Sequence, residues 1–126
     1  MLRGILAAFL LTMSAVVVAR GLPNSAVRLS ADVVKANIIG NTEQWRHKGA
    51  AYYAPNGVIR ALWKERDYEG TWRITDDGTM CIYIGNLGGE SCWDYYKYND
   101  RFHYYWDGDF VETSYKNGDR LKNFYE

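Results

Sequence analysis

Histidine, cysteine and proline are scarce in this 126-residue chain, which has two of each. A histidine-based metal site or acid–base pair would need His47 and His103 to converge, yet one falls in a connector and the other in mid-strand. Cys81 and Cys92 lack both the CxxC-like spacing and the basic neighbourhood of a reactive thiol. No nucleophile elbow, phosphate loop or zinc spacing occurs, so no catalytic residue, cofactor or metal is expected. Asp107, Asp109 and Glu112 lack the glycine and spacing of a twelve-residue calcium loop and read as a turn rich in acceptors. Nor is there an excess of charge: 15 Lys plus Arg balance 15 Asp plus Glu. Nucleic acid and anionic membrane surfaces need a clustered basic excess, and both are excluded as expected partners.

Long apolar runs are also absent, with one exception. Ile5 to Val18 follows Arg3 and closes at Val17-Val18-Ala19, so residues 1–19 read as a secretory leader cut after Ala19, with Ala26 as the second choice. The run is shorter than the roughly 20 residues that span a bilayer, and no cysteine follows the cut to carry a lipid. The expectation is a periplasmic or secreted protein with no stable membrane anchor after cleavage. A flexible lead-in over 20–28 and a single β-rich domain over 29–126 would follow.

Aromatic residues are abundant: 5 Trp, 11 Tyr and 4 Phe. So many rings in so short a chain favour strands, where they pack on a pleated surface. One helix precedes them, with Ser30 as N-cap, Val33, Val34, Ile38 and Ile39 as its apolar stripe, and Gly40 as its terminator. Asn41 to Lys48, including Trp45, reads as a polar connector. From Gly49 onward, turn signals recur every 8 to 12 residues or so, the mark of an antiparallel meander. Eight strands are expected: Ala50–Tyr53, Val58–Lys64, Tyr68–Ile74, Thr79–Ile84, Glu90–Tyr98, Arg101–Trp106, Phe110–Tyr115 and Asp119–Phe124. Alternation puts Ile59, Ala61, Trp63, Trp72, Ile74, Met80, Ile82, Ile84, Trp93, Tyr95, Phe102, Tyr104 and Trp106 on one face. The fold class is therefore mainly β, a small barrel or strongly curved sheet with one short N-terminal helix over an open end.

A symmetric hairpin through Asn86-Leu87 sets Cys81 opposite Cys92 on the outer face, and export into an oxidising compartment predicts a disulfide between them. The next hairpin, turning at Asn99-Asp100, pairs Asp94 with Tyr105, Tyr96 with His103 and Tyr98 with Arg101. This exposed cluster is the candidate binding surface, since Tyr and Arg anchor interfaces. The leading expectation is a non-enzymatic binding module that takes a protein or small ligand on this patch or at a barrel mouth. A hydrolase using His103 with Asp94 or another nearby carboxylate, and a structural envelope component, are the alternatives.

The segments Leu29-Ser30-Ala31, Gly40-Asn41-Thr42, Tyr53-Ala54-Pro55-Asn56-Gly57, Gly70-Thr71-Trp72-Arg73-Ile74, Asp77-Gly78, Cys81 and Ser91-Cys92-Trp93 occur in an order that resembles the DUF995 family of small exported alphaproteobacterial proteins. The likeness runs from Leu29 to about Trp106. It implies an exported, mostly β domain with a cysteine pair, and no activity comes with it.

Overall fold

The computed structural model describes residues 21–45 and 49–123, so the expected leader, His47 and Phe124 lie outside the described residues. Helix α1 spans Ala31–Ile38, and the Ser30 Oγ accepts from the Val33 N–H at 3.4 Å, as the N-cap reading predicts. Val34 and Ile38 are buried, whereas Val33 is exposed. No helix among the described residues is long and apolar enough to cross a membrane.

Ten antiparallel strands follow one another in space nearly as they do in sequence. They are β1 (Val27–Arg28), β2 (Asn41–Trp45), β3 (Gly49–Tyr53), β4 (Val58–Trp63), β5 (Arg66–Ile74), β6 (Met80–Ile84), β7 (Gly89–Tyr98), β8 (Arg101–Trp106), β9 (Asp109–Glu112) and β10 (Ser114–Asn117). Strands β2 to β9 pair in order, β10 pairs with β2, and β1 adds to β7. Because β9 and β10 are consecutive in the chain, the two ends of the pairing path meet at Thr113. The sheet is thus nearly closed into a barrel.

Four expectations need correction. The connector at Asn41 to Lys48 contains β2, a strand paired on both sides. Its polar residues hide it from a hydrophobic pattern, since Thr42 and Glu43 are both buried and satisfied by hydrogen bonds. The strand expected at Phe110–Tyr115 is broken at Thr113, whose N–H still reaches the Phe102 carbonyl while the next residues turn to β2. No strand forms at Asp119, because β10 already occupies that edge of β2. The tail instead crosses Thr42, which donates to the Gly118 carbonyl and accepts from the Arg120 N–H, and it ends in a 3₁₀ turn at Leu121–Asn123. Leu121 packs there on Ala50 and Leu62. Last, the lead-in expected to be loose is tied down at Val27 and Arg28, opposite Lys97 and Tyr96.

The two ends of the barrel differ. At one, Val34 and Ile38 of α1 enter the buried cluster that runs through Tyr53, Ile59, Met80 and Tyr95 to Ile82, Ile84 and Trp93, so the helix acts as a plug. The turn at Asp76-Asp77-Gly78 tucks beneath the helix entrance. Gly78 has φ +90°, and a Cβ there would stand 2.7 Å from the Leu29 carbonyl, so both conformation and space demand glycine. The other end, where β2, β4, β6 and β8 finish, has no α-helix over it among the described residues; only the short 3₁₀ turn Gly85–Leu87 follows β6 there.

The hairpin registers are those expected. Cys81 faces Cys92 and the two are joined, with Cα atoms 4.1 Å apart. Asp94 faces Tyr105, Tyr96 faces His103 and Tyr98 faces Arg101.

Candidate functional site

The open end holds a cavity of about 440 Å³. Trp45, Trp63, Trp93 and Trp106 wall it together with Tyr104, and Ile82, Ile84, Leu87 and Val111 supply aliphatic surface. Strand termini place these residues: each tryptophan but Trp93 is the last residue of its strand. Trp45 meets Trp63 at 6.3 Å and Trp93 at 6.4 Å between ring centroids, both edge-to-face, and Trp93 meets Tyr104 at 6.2 Å. Such pairs interlock neighbouring walls. Gly49 permits the arrangement, since a Cβ there would lie 2.5 Å from the Trp63 ring. Trp63 and Trp106 were expected in the core, but Trp106 is 47% exposed at the mouth. The barrel ends before it can cover that ring.

Behind Trp45 lies Glu43, fully buried. Its Oε1 accepts from Trp45 Nε1 at 2.9 Å and from the Tyr53 hydroxyl at 2.8 Å, while its Oε2 accepts from Tyr95 at 2.9 Å and from Tyr115 at 3.1 Å. Thr113 Oγ1 is 3.3 Å from Oε2 but only 2.9 Å from the Gln44 carbonyl, which takes its single proton. Strands β2, β3, β7 and β10 thus converge on one carboxyl group. No lysine or arginine among the described residues forms an ion pair with it. Burial therefore pushes the Glu43 carboxyl above the usual carboxylate range, and the donors from Tyr53, Trp45, Tyr95 and Tyr115 only partly oppose the rise. Burial and then the nearby Glu43 charge hold all three tyrosines well above their ordinary value, so they remain donors. Trp93 Nε1 is buried with no hydrogen-bond partner among the described residues.

The outer-face residues read from the sequence share one face as expected but are less open than expected. Phe110 of β9 covers them: its ring stacks on His103 at 4.6 Å and meets Tyr96 and Tyr98 at 5.8 and 5.7 Å. His103 is consequently buried, with Nδ1 3.2 Å from the Arg101 carbonyl. Asp94 Oδ1 accepts from Thr79 Oγ1 at 2.5 Å and pairs with Arg28 at 3.0 Å, rather than bonding His103. Arg101 is exposed and paired with Glu112, while Tyr105 is half-buried.

Glu43 was missed because a lone carboxylate in a polar stretch reads as surface. Two clues pointed to it. Tyr95 sits on the core face and Tyr53 ends a buried strand, and buried phenol groups need an acceptor that no apolar core residue supplies.

Neither the curated proteins nor the solved structures contain a match to this chain. The profile of one family, described as a protein of unknown function, matches residues 6–94 and so covers Glu43, Trp45, Trp63, Trp93 and both cysteines, stopping within β7 before Tyr104, Trp106 and Tyr115. On that match, over more than half its length, the chain belongs to the DUF995 family.

Proposed function

We propose that this domain is a non-enzymatic binding module of the periplasm or of the secreted fraction, and that it takes a small, largely apolar ligand in the tryptophan-lined mouth of the barrel. The cavity carries this reading. At about 440 Å³ it lies within the range of ordinary small-molecule sites, and its walls combine aromatic and aliphatic surface with few polar groups, among them Ser91 and Asp109. Large aromatic surfaces left accessible at a rim are costly unless something covers them. Export is supported by the apolar leader and by the joined cysteine pair. Binding is favoured over hydrolysis because Asp94 and His103 are each engaged in packing and hydrogen bonds of their own.

The test is titration with N-phenyl-1-naphthylamine, a neutral apolar fluorophore. Saturable one-to-one enhancement, lost on Trp93→Ala and kept on Tyr96→Ala, is expected. Enhancement that survives Trp93→Ala but disappears with Tyr96→Ala would move the site to the outer face.

A further inference from the structure

Resting on the reading of the mouth as a ligand site, we infer that Glu43 is a positioning residue for that site, acting through the Trp45 indole. Glu43 does not line the cavity, so it cannot touch a ligand there. Trp45 does line it, and its one polar atom, Nε1, bonds the Glu43 carboxyl at 2.9 Å. That bond fixes which face of the indole the cavity sees. Trp45 in turn meets both Trp63 and Trp93 edge-to-face, so its orientation sets three of the cavity walls together. The anchor itself is held by hydroxyls from three other strands, Tyr53, Tyr95 and Tyr115, and cannot follow the ring if it turns. The carboxyl group offers these four donors two oxygens, whereas an amide of the same shape offers one, so a carboxyl group fixes the ring better than an amide.

Two substitutions separate positioning from simple structural support, with N-phenyl-1-naphthylamine as the probe in both. Glu43→Gln keeps one acceptor oxygen but sets an NH₂ group against donors where the other oxygen stood. It is expected to weaken probe binding about fivefold and to move the Trp45 indole N–H resonance in ¹⁵N-edited NMR while the other four indole signals move less. Replacement of Trp45 by β-(3-benzothienyl)alanine, an isostere with sulfur in place of N–H, leaves Glu43 its three tyrosine donors and so preserves the fold whether or not the Gln variant does. It is expected to cause a similar loss, and the same replacement at Trp72, whose indole N–H bonds the Ala54 carbonyl and which does not line the cavity, to cause none. Adding Glu43→Gln to the benzothienyl protein should then produce no further loss. If the isostere at position 45 binds the probe as tightly as tryptophan does, or if Glu43→Gln weakens binding equally with and without the indole N–H, Glu43 does not act through Trp45. Failure of the unaltered protein to bind the probe at all would instead overturn the ligand-site reading itself.

Discussion

The two ends of this barrel grow from the same alternating strands, yet one is stoppered by aliphatic side chains from a helix and the other is left open among indole rings. At the plugged end Val34 and Ile38 are buried with Tyr53, Ile59 and Met80. At the open end Trp45 meets Trp63 and Trp93 beside a cavity that Trp106, 47% exposed, also lines. Between the ends sits Glu43, a buried acid that accepts from tyrosine and tryptophan donors and pairs with no cation among the described residues. One end closes on aliphatic side chains, while the other leaves aromatic surface accessible, which the proposed ligand would cover. One continuous core joins them, and the buried polar layer around Glu43 bonds Trp45 of the open wall.

The largest effect that would sharpen this contrast is expected at the buried polar layer around Glu43. Glu43→Leu leaves buried hydroxyls and the Trp45 N–H without their acceptor, and should cost at least about 3 to 5 kcal/mol in denaturant unfolding, if the variant folds at all. An unchanged midpoint would mean that the donors find other partners and that the layer is dispensable.

Next in size is the disulfide. Serine at both Cys81 and Cys92, which are 11 residues apart, should lower stability by roughly 2 to 4 kcal/mol, chiefly by freeing the unfolded chain. Probe binding at the mouth should be unaffected. Loss of binding in the refolded double variant would show that the open end depends on the clamp at β6 and β7 as well as on its own walls.

A smaller effect follows from pH. The folded Glu43 carboxyl titrates above its ordinary value of 4.5, because burial penalises the charged form. Its contribution is therefore fully present below the unfolded value and is lost as pH rises through the folded one. Glu90 works the other way: its pairing with Arg73 lowers its carboxyl, so its contribution falls away as the solution becomes acid. The difference between the parent protein and Glu43→Gln isolates the buried group. The parent should lose stability relative to the variant as pH climbs above about 4.5, with a slope of at most about 1.4 kcal/mol per pH unit. A constant difference across that window would mean that Glu43 titrates as it does in the unfolded chain.

The smallest effect is expected at the rim. Trp106→Ala removes a ring already 47% exposed and should change unfolding by no more than about 0.5 to 1 kcal/mol, whereas Ile38→Ala at the plugged end should cost about 2 to 5 kcal/mol. Equal losses at the two ends would erase the distinction between them.

Most of the plugged end was legible in the sequence. Ser30, Val34, Ile38 and Gly40 are local signals, and the spacing of turns fixed the hairpins from Val58 to Trp106 with Cys81 opposite Cys92. The polar layer around Glu43 was not legible, since β2 is polar where a strand reading looks for alternation. Its Glu43 makes sense only once Tyr53, Tyr95 and Tyr115 arrive from strands far away in sequence. Barrel closure was hidden for a similar reason: the break at Thr113 falls inside a continuous strand-like run, and only the carbonyls of Gln44 and Phe102 show why the chain turns there. Exposure of the outer face was overestimated because Phe110 lies across it from a neighbouring strand.

The most direct test of the central claim is chemical-shift mapping of N-phenyl-1-naphthylamine on the ¹⁵N-labelled protein. The shifts are predicted to concentrate on Trp45, Trp63, Trp93, Trp106 and the strand ends around them, leaving Val34, Ile38, Tyr96 and Tyr98 unmoved. Shifts centred on Tyr96, Tyr98 and Phe110, or no saturable shifts anywhere, would contradict the assignment of the open end as the binding site.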